Sequence, residues 1–121
     1  MNKAGLDEAA LRHWVDRWPG VGSDIKWDDD LVFSVAGKMF CVLCVRGPLA
    51  GRLSFKVEDE RFLELTERPG FMPAPYLARA HWVLVSEPGR LPARELAALL
   101  RRSYELVRAK LPRKTQRELA D

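Results

Sequence analysis

Three short segments in the middle of the chain have the patterns of β-strands: residues 31–35 and 53–57 alternate strongly apolar residues with smaller or polar ones, and residues 39–45 are apolar throughout, as in a buried strand. A two-residue period is typical of β-strands with one apolar face. Ala36-Gly37-Lys38 connects the first two segments, and a turn rich in glycine and proline at residues 46–52 connects the last two. Because such short connections join neighbouring strands that run in opposite directions, the pattern predicts an antiparallel meander.

Helical periodicity appears on both sides of this region. Residues 6–18 place apolar side chains at the i, i+3, i+4, i+7 positions of one helix face, namely Leu11, Trp14, Val15 and Trp18. A second helix is expected at residues 58–67, where the first turn is acidic. The last helix begins near Pro92, ends at Pro112 and shows the same amphipathic pattern.

Two more strands are expected, at residues 24–27 after a loop at 21–23, and at residues 82–85. The resulting order is helix, a run of strands, helix, strand, helix. It predicts an α+β fold in which the N- and C-terminal helices pack on one face of an antiparallel sheet. We expect one domain over residues 1–112 and a basic, flexible tail over residues 113–121. The expected buried side chains include Trp14, Phe33, Phe55, Leu99 and Val107.

The connection between residues 69 and 82 concentrates residue types that form binding sites. It contains three prolines, which restrict the backbone and favour a stiff, extended path at Pro73-Ala74-Pro75. We expect this irregular segment to hold Tyr76, Arg79 and His81 in a defined spatial relation before the strand begins at Trp82.

Charge is distributed unevenly along the chain. The net charge is +3, which is modest for a protein that binds nucleic acid. Residues 92–121 carry eight basic and four acidic side chains, whereas the rest carries twelve basic and thirteen acidic ones, so the positive excess lies at the C-terminal end.

Several function classes find no support in the sequence. Cys41 and Cys44 lie three apart in one strand, so they face opposite sides and are expected as buried apolar residues, with no metal or cofactor. We interpret Asp28-Asp29-Asp30 as a solvated turn. His81 could act as a general base, but no nucleophile or paired carboxylate accompanies it, so we expect a protein that is not an enzyme.

The hydropathy of the chain and its first residues predict the cellular compartment. No apolar run approaches the ~20 residues that cross a bilayer, and the first residues lack the apolar segment of a secretory signal. A cytoplasmic protein without a membrane partner is the expectation.

Six separated blocks of sequence resemble the MmcQ/YjbR family of small bacterial proteins. They are Trp27 with Asp30-Leu31-Val32-Phe33, Lys38-Met39-Phe40, Leu53-Ser54-Phe55-Lys56, Pro73-Ala74-Pro75-Tyr76-Leu77, His81-Trp82-Val83, and Ser103-Tyr104-Glu105-Leu106-Val107 with Lys110-Leu111-Pro112. The resemblance implies a CyaY-like α+β fold and DNA binding through two β-hairpins, the double-wing motif. Ala78-Arg79 stands where the family often has Gly-Lys, which keeps the positive charge.

Carried over onto this chain, the resemblance implies a nucleic-acid-binding surface formed by Lys38, Lys56, Tyr76, Arg79 and His81. We expect these five residues to line one groove, with the cations on phosphates and the aromatic ring, together with Trp27, stacking on or wedging between bases. The expected nucleic acid is DNA rather than RNA.

We consider two alternatives to nucleic-acid binding. The same groove could hold a peptide or a protein partner, which salt would affect far less than phosphate contacts. A CyaY-like fold is also similar to that of frataxin, which binds iron through acidic residues of its first helix. Here that helix offers only Asp7, Glu8 and Asp16 beside basic residues, so we do not expect an iron site.

Overall fold

The computed structural model describes residues 6–119, and the first five and last two residues of the predicted domain and tail lie outside the described part. The helices are α1 Glu8–Val15, α2 Asp59–Thr66, α3 Ala93–Arg108 and α4 Arg113–Leu119. The strands are β1 Val21–Lys26, β2 Asp30–Val35, β3 Lys38–Cys44, β4 Leu53–Lys56, β5 Phe71–Pro73 and β6 Trp82–Val85. None of the helices in this part of the chain is long and apolar enough to span a membrane.

All six strands form one antiparallel sheet in the order β1-β2-β3-β4-β6-β5. The predicted meander is present as the first four neighbours, and β6 pairs with β4 after the chain has passed through α2. The α+β fold class with an antiparallel sheet and terminal helices is therefore confirmed.

The core lies between the sheet and the helices. One face of the sheet contributes Leu31, Phe33, Leu43, Phe55 and Val83, all at most 2% exposed. Helices α1 and α3 add side chains to the same cluster, among them Leu11, Val15, Leu96, Leu100 and Tyr104. Helices α1 and α3 thus cover one face of the sheet. Among the described elements, no helix of this core cluster packs on the opposite face.

The predicted burial of five large residues is accurate for Phe33, Phe55 and Leu99. Trp14 and Val107 are only partly buried, and they pack against the edge of the core cluster. Trp14 lies at the margin of the apolar stripe of α1, where a helix on a sheet is buried less completely, and Val107 lies next to the C-terminal end of α3 at Arg108.

Two strands extend beyond the sequence-based prediction. Residues 21–23, expected as a loop, belong to β1, because Val21 pairs with Val35 and the hairpin ladder continues to Lys26 opposite Asp30. Residues 71–73, expected within an irregular connection, form the short edge strand β5 against β6. In both cases backbone pairing with a neighbouring strand outweighs the weak local preference for strand.

The segment after Pro112 differs from the flexible tail that we expected. It forms α4 through Leu119, whose side chain packs against the core. Gly20 makes the close approach possible, since a Cβ placed there would lie 2.4 Å from a methyl carbon of Leu119. The C-terminal helix therefore rests on the turn between α1 and β1.

Candidate functional site

The sheet face opposite the core carries a continuous row of residues that are paired across all six strands. The row runs through Asp24, Val32, Val42, Ser54, Leu84 and Met72. A cavity of about 630 Å³ lies over the middle of this row. We call it the open-face cavity, and its lining consists of Trp27, Asp30, Met39, Val42, Cys44, Leu49, Arg52, Ser54, Ala74, Pro75, Tyr76, Leu77 and Leu84. Its size is typical of ligand-binding cavities.

Two aromatic side chains at this cavity are unusually exposed. Trp27, in the turn between β1 and β2, is 67% exposed, and Tyr76, in the loop between β5 and β6, is fully exposed. Both residues have positive φ angles, 53° and 67° respectively, a region that bulky residues rarely adopt. Such strained, exposed residues cluster at functional sites because the surrounding structure has to maintain them.

Backbone hydrogen bonds hold the loop that carries Tyr76. The Ala74 amide donates to the carbonyl of Trp82 (3.0 Å), the Leu77 amide donates to Ala74 (3.1 Å), and the Trp82 amide donates to Leu77 (3.2 Å). A single 3₁₀ turn at Ala78–Ala80 follows. The loop therefore closes on β6 and presents Tyr76 from a fixed base.

The polar groups of the open-face cavity are few and are not neutralised by one another. Asp30 on β2 is the register partner of Cys44 on β3. On the other side of Cys44, the Arg52 carbonyl accepts a 3.0 Å hydrogen bond from the Cys44 amide. Burial raises the pKa of Asp30, and the adjacent Asp29 raises it further. Burial also raises the pKa of Cys44, with Asp30 and Asp29 adding to the effect, so its thiol stays protonated at neutral pH. Within residues 6–119, neither Asp30 nor Arg52 takes part in an ion pair.

Three of the five predicted site residues meet at the 3₁₀ turn. The Lys56 ammonium donates a 2.5 Å hydrogen bond to the carbonyl of Ala80, which lies between Arg79 and His81. His81 adopts a left-handed backbone conformation (φ 61°), and its Nδ1 lies 2.7 Å from a carboxylate oxygen of Asp59. We call Lys56, Arg79 and His81 the loop cluster.

Electrostatics distinguish the members of the loop cluster. Burial lowers the pKa of Lys56 and the charge of Lys110 lowers it further, whereas Asp59 opposes the shift. Arg79 is exposed and forms no ion pair with any described residue. Arg79 is therefore the member of this cluster whose charge is most accessible to a ligand.

The other two predicted residues occupy different positions. Tyr76 alone of the five lines the open-face cavity. Lys38 begins β3 at the tip of the β2–β3 hairpin and is exposed. The β3–β4 register places Lys38 at the same end of the sheet as Lys56, because Cys41 is opposite Phe55. The five residues that we expected to line one groove are therefore divided among the loop cluster, the open-face cavity and the tip of the β2–β3 hairpin.

Most of the cavity-lining residues were not predicted as site residues. Val42, Ser54 and Leu84 alternate with core residues on their strands. The sequence signal that could have identified this site is the apolar character of these strands on the face opposite the core. Cys44 was interpreted as buried, like Cys41, but it is half-buried at the cavity while Cys41 lies in the core. Among residues 6–119, no group of three or more His, Cys, Asp or Glu side chains is arranged to bind a metal ion.

Comparisons with known proteins place the chain in a family. The YjbR family model matches residues 16–106. The crystal structure of a Deinococcus radiodurans protein with a DUF419 domain is 33% identical and superposes with a TM-score of 0.81, covering 98% of this chain and 90% of that one. A Pseudomonas syringae protein of known crystal structure shares the fold, with 22% identity, a TM-score of 0.67, and 84% and 99% of the two chains covered. No curated protein matches the sequence. On the breadth of the family match, this chain belongs to the YjbR family.

Proposed function

We propose that this protein is a non-enzymatic nucleic-acid-binding domain, with DNA as its expected ligand. The observation that carries the proposal is the loop from Ala74 to His81. It presents a fully exposed Tyr76 and an exposed Arg79 that forms no ion pair among residues 6–119, and its Ala80 carbonyl accepts a hydrogen bond from Lys56. Exposed aromatic rings that stack on bases, combined with cations that contact phosphates, are the two components of such surfaces.

Ion pairs neutralise two of the arginines of α3, whereas Arg79 and Lys38 take part in none among residues 6–119. On α3, Arg101 pairs with Glu105 at 3.2 Å and Arg102 pairs with Glu58 at 2.9 Å. The Arg101 guanidinium also lies 4.8 Å from the ring centre of Tyr104. Because carboxylates already neutralise these arginines, they offer less charge to phosphates than Arg79 and Lys38.

The two hairpins expected as wings have opposite charge. The β1–β2 turn contains Asp28 and Asp29, whereas the β2–β3 turn leads into Lys38. Phosphates are repelled by the first turn and attracted by the second. We therefore propose that the β2–β3 hairpin, rather than both hairpins equally, accompanies the loop cluster on the phosphate backbone.

The test is titration of fluorescent single-stranded and duplex DNA and RNA at several salt concentrations. Arg79→Ala and Lys56→Ala should weaken binding about equally for all sequences, and each should reduce the salt slope by roughly 1. Arg94→Ala is the matched control, because Arg94 is an exposed cation on α3 without an ion pair among the described residues. If Arg94→Ala weakens binding and the two loop variants do not, the binding surface is the C-terminal helix and the proposal is wrong.

A second candidate is a protein-interaction module that holds an extended peptide. The predominantly apolar lining of the open-face cavity supports it, including Leu49 and Leu84. Affinity for such a partner would change little between low and high salt, whereas nucleic-acid affinity falls steeply.

A further inference from the structure

We propose that the open-face cavity binds unstacked nucleobases of a single strand, with Trp27 and Tyr76 each offering a stacking surface to a base. This inference rests on the proposed function and makes it more specific, because it assigns the ligand to unpaired nucleic acid rather than to a duplex. Bases in a duplex are stacked and paired, so they cannot enter a recess in a protein surface unless they first leave the helix.

Exposed apolar side chains around the cavity indicate a site for an aromatic or apolar ligand. The large hydrophobic residues that remain exposed include Trp27, Leu49, Met72 and Tyr76, and all four lie at the cavity or on its paired floor row. Exposed apolar surface gathered in one place marks a binding site. Neither aromatic ring is part of the core cluster, so core packing does not explain their strained backbone positions.

The two rings come from separate elements that the sheet brings together. Trp27 follows β1, an edge strand at one side of the sheet, while Tyr76 precedes β6 near the other side. Both line the same cavity. A base that stacks on either ring gains an aromatic contact, and stacking tolerates any base because every base presents a π face.

Polar groups at the cavity suit the edge of a base. The Ser54 hydroxyl can donate and accept hydrogen bonds, and the Asp30 carboxyl accepts them when ionised and donates one when protonated. The raised pKa of Asp30 extends the pH range in which the donating form is populated. Neither side chain forms a hydrogen bond with another described residue.

Charge around the cavity fixes the path of the strand. Asp24, Asp28 and Asp29 make the β1 side acidic, whereas Arg52 at the cavity and Arg79 on the adjacent loop supply positive charge that no ion pair neutralises within residues 6–119. When a base of a strand occupies the cavity, the phosphate backbone of that strand therefore runs over Arg52 and the loop cluster, away from β1. Positive charge on this side of the cavity gives the phosphates of a strand a contact that an uncharged apolar ligand would not use.

The experiment compares a short single-stranded DNA, the blunt duplex of the same sequence, and 5′-AMP as a free nucleotide, all at low salt. Trp27→Ala and Tyr76→Ala should each weaken single-strand binding about 5- to 150-fold, the effect of removing one stacked base. Leu63→Ala is the matched control, since Leu63 is a 72% exposed apolar residue on α2 and should leave affinity unchanged. Because all three side chains lie at the surface, the variants should keep the fold, which circular dichroism checks.

Each outcome decides something. Preference for the single strand together with loss in both aromatic variants supports the inference. Equal binding of the duplex, with affinity dependent on Arg79 but not on Trp27 or Tyr76, overturns it while leaving the proposed function intact. Binding of 5′-AMP as tightly as the strand also overturns it, because the cavity then takes a free nucleotide. No binding of any of the three probes overturns both the inference and the proposed function.

Discussion

The Ser103 hydroxyl donates a 2.6 Å hydrogen bond to the carbonyl of Phe40, joining α3 to the sheet where two strands diverge. The same oxygen accepts a 3.0 Å hydrogen bond from the Lys56 amide. Cys41 opposite Phe55 is the last pair of the β3–β4 ladder at this end, and Phe40 is the extra residue of a β-bulge against β2. Ser103 thus satisfies two backbone groups that would otherwise have paired with each other, and it does so from a fully buried position.

We predict that Ser103→Ala lowers the free energy of unfolding by about 2 to 3 kcal/mol, because it leaves a buried carbonyl and a part-buried amide without partners. Urea denaturation measures the change. Ser86→Ala is the control, since the Ser86 hydroxyl makes only a 3.3 Å contact with Gly70 near the surface, and its effect should stay within about 0.5 kcal/mol. Equal effects of the two substitutions would contradict the role given to Ser103.

Gly20→Ala should destabilise the protein for two reasons. Gly20 has a φ of 79°, and an added Cβ would lie 2.4 Å from Leu119. Gly37→Ala separates the cost of the backbone conformation from the cost of the steric contact, because Gly37 has a similar φ of 85° but open space around it. We expect about 1 kcal/mol for the backbone conformation alone in Gly37→Ala and a larger loss in Gly20→Ala. Adding Leu119→Ala to Gly20→Ala should recover part of the difference, and no recovery would show that α4 does not press on this turn.

The ion pair between Arg68 and Glu95 should make stability depend on acidity. The hydrogen bond from Arg68 (2.7 Å) holds the pKa of Glu95 below its usual range. A lowered folded-state pKa contributes stability that is complete above the unfolded pKa, ~4.3, and is lost as the pH falls through the lower folded value. Because both side chains are about a third exposed, we expect less than about 1 kcal/mol. Urea denaturation from pH 6 to pH 3 should show a smaller pH-dependent loss in Glu95→Gln than in the original chain.

The two cysteines should react with thiol reagents at different rates and both more slowly than free cysteine. Burial raises the pKa of each thiol, and Cys41 is fully buried whereas Cys44 reaches the open-face cavity. Since the thiolate is the reactive form, labelling of Cys44 should speed up with pH only above the range where free cysteine is already ionised. Cys41 should label only on unfolding. Labelling of Cys41→Ser and Cys44→Ser variants, followed by mass spectrometry, measures both rates, and fast labelling of Cys41 in the folded protein would be inconsistent with its core position.

Local periodicity in the sequence determined the fold class. The alternation through Leu31, Phe33 and Val35 required a strand with one apolar face, and the short turn at Gly37 required an antiparallel neighbour. The i, i+3, i+4 pattern around Leu96, Leu99 and Leu100 likewise required a helix that packs on that face. These features depend on residues within a few positions of each other, so the sequence alone reveals them.

Tertiary structure decided the site. The open-face cavity joins Trp27, Cys44, Arg52, Tyr76 and Leu84 from five separate segments, and only the strand order and register bring them together. Tertiary structure also decided which charged side chains are paired. No carboxylate partner of His81 was apparent in the sequence, but α2 places an oxygen of Asp59 2.7 Å from its Nδ1, and the distant Glu58 neutralises Arg102 of α3. A periodic pattern specifies which face of an element is buried, whereas the partner of a polar side chain depends on contacts between residues far apart in the chain, and those contacts exist only once the sheet has formed.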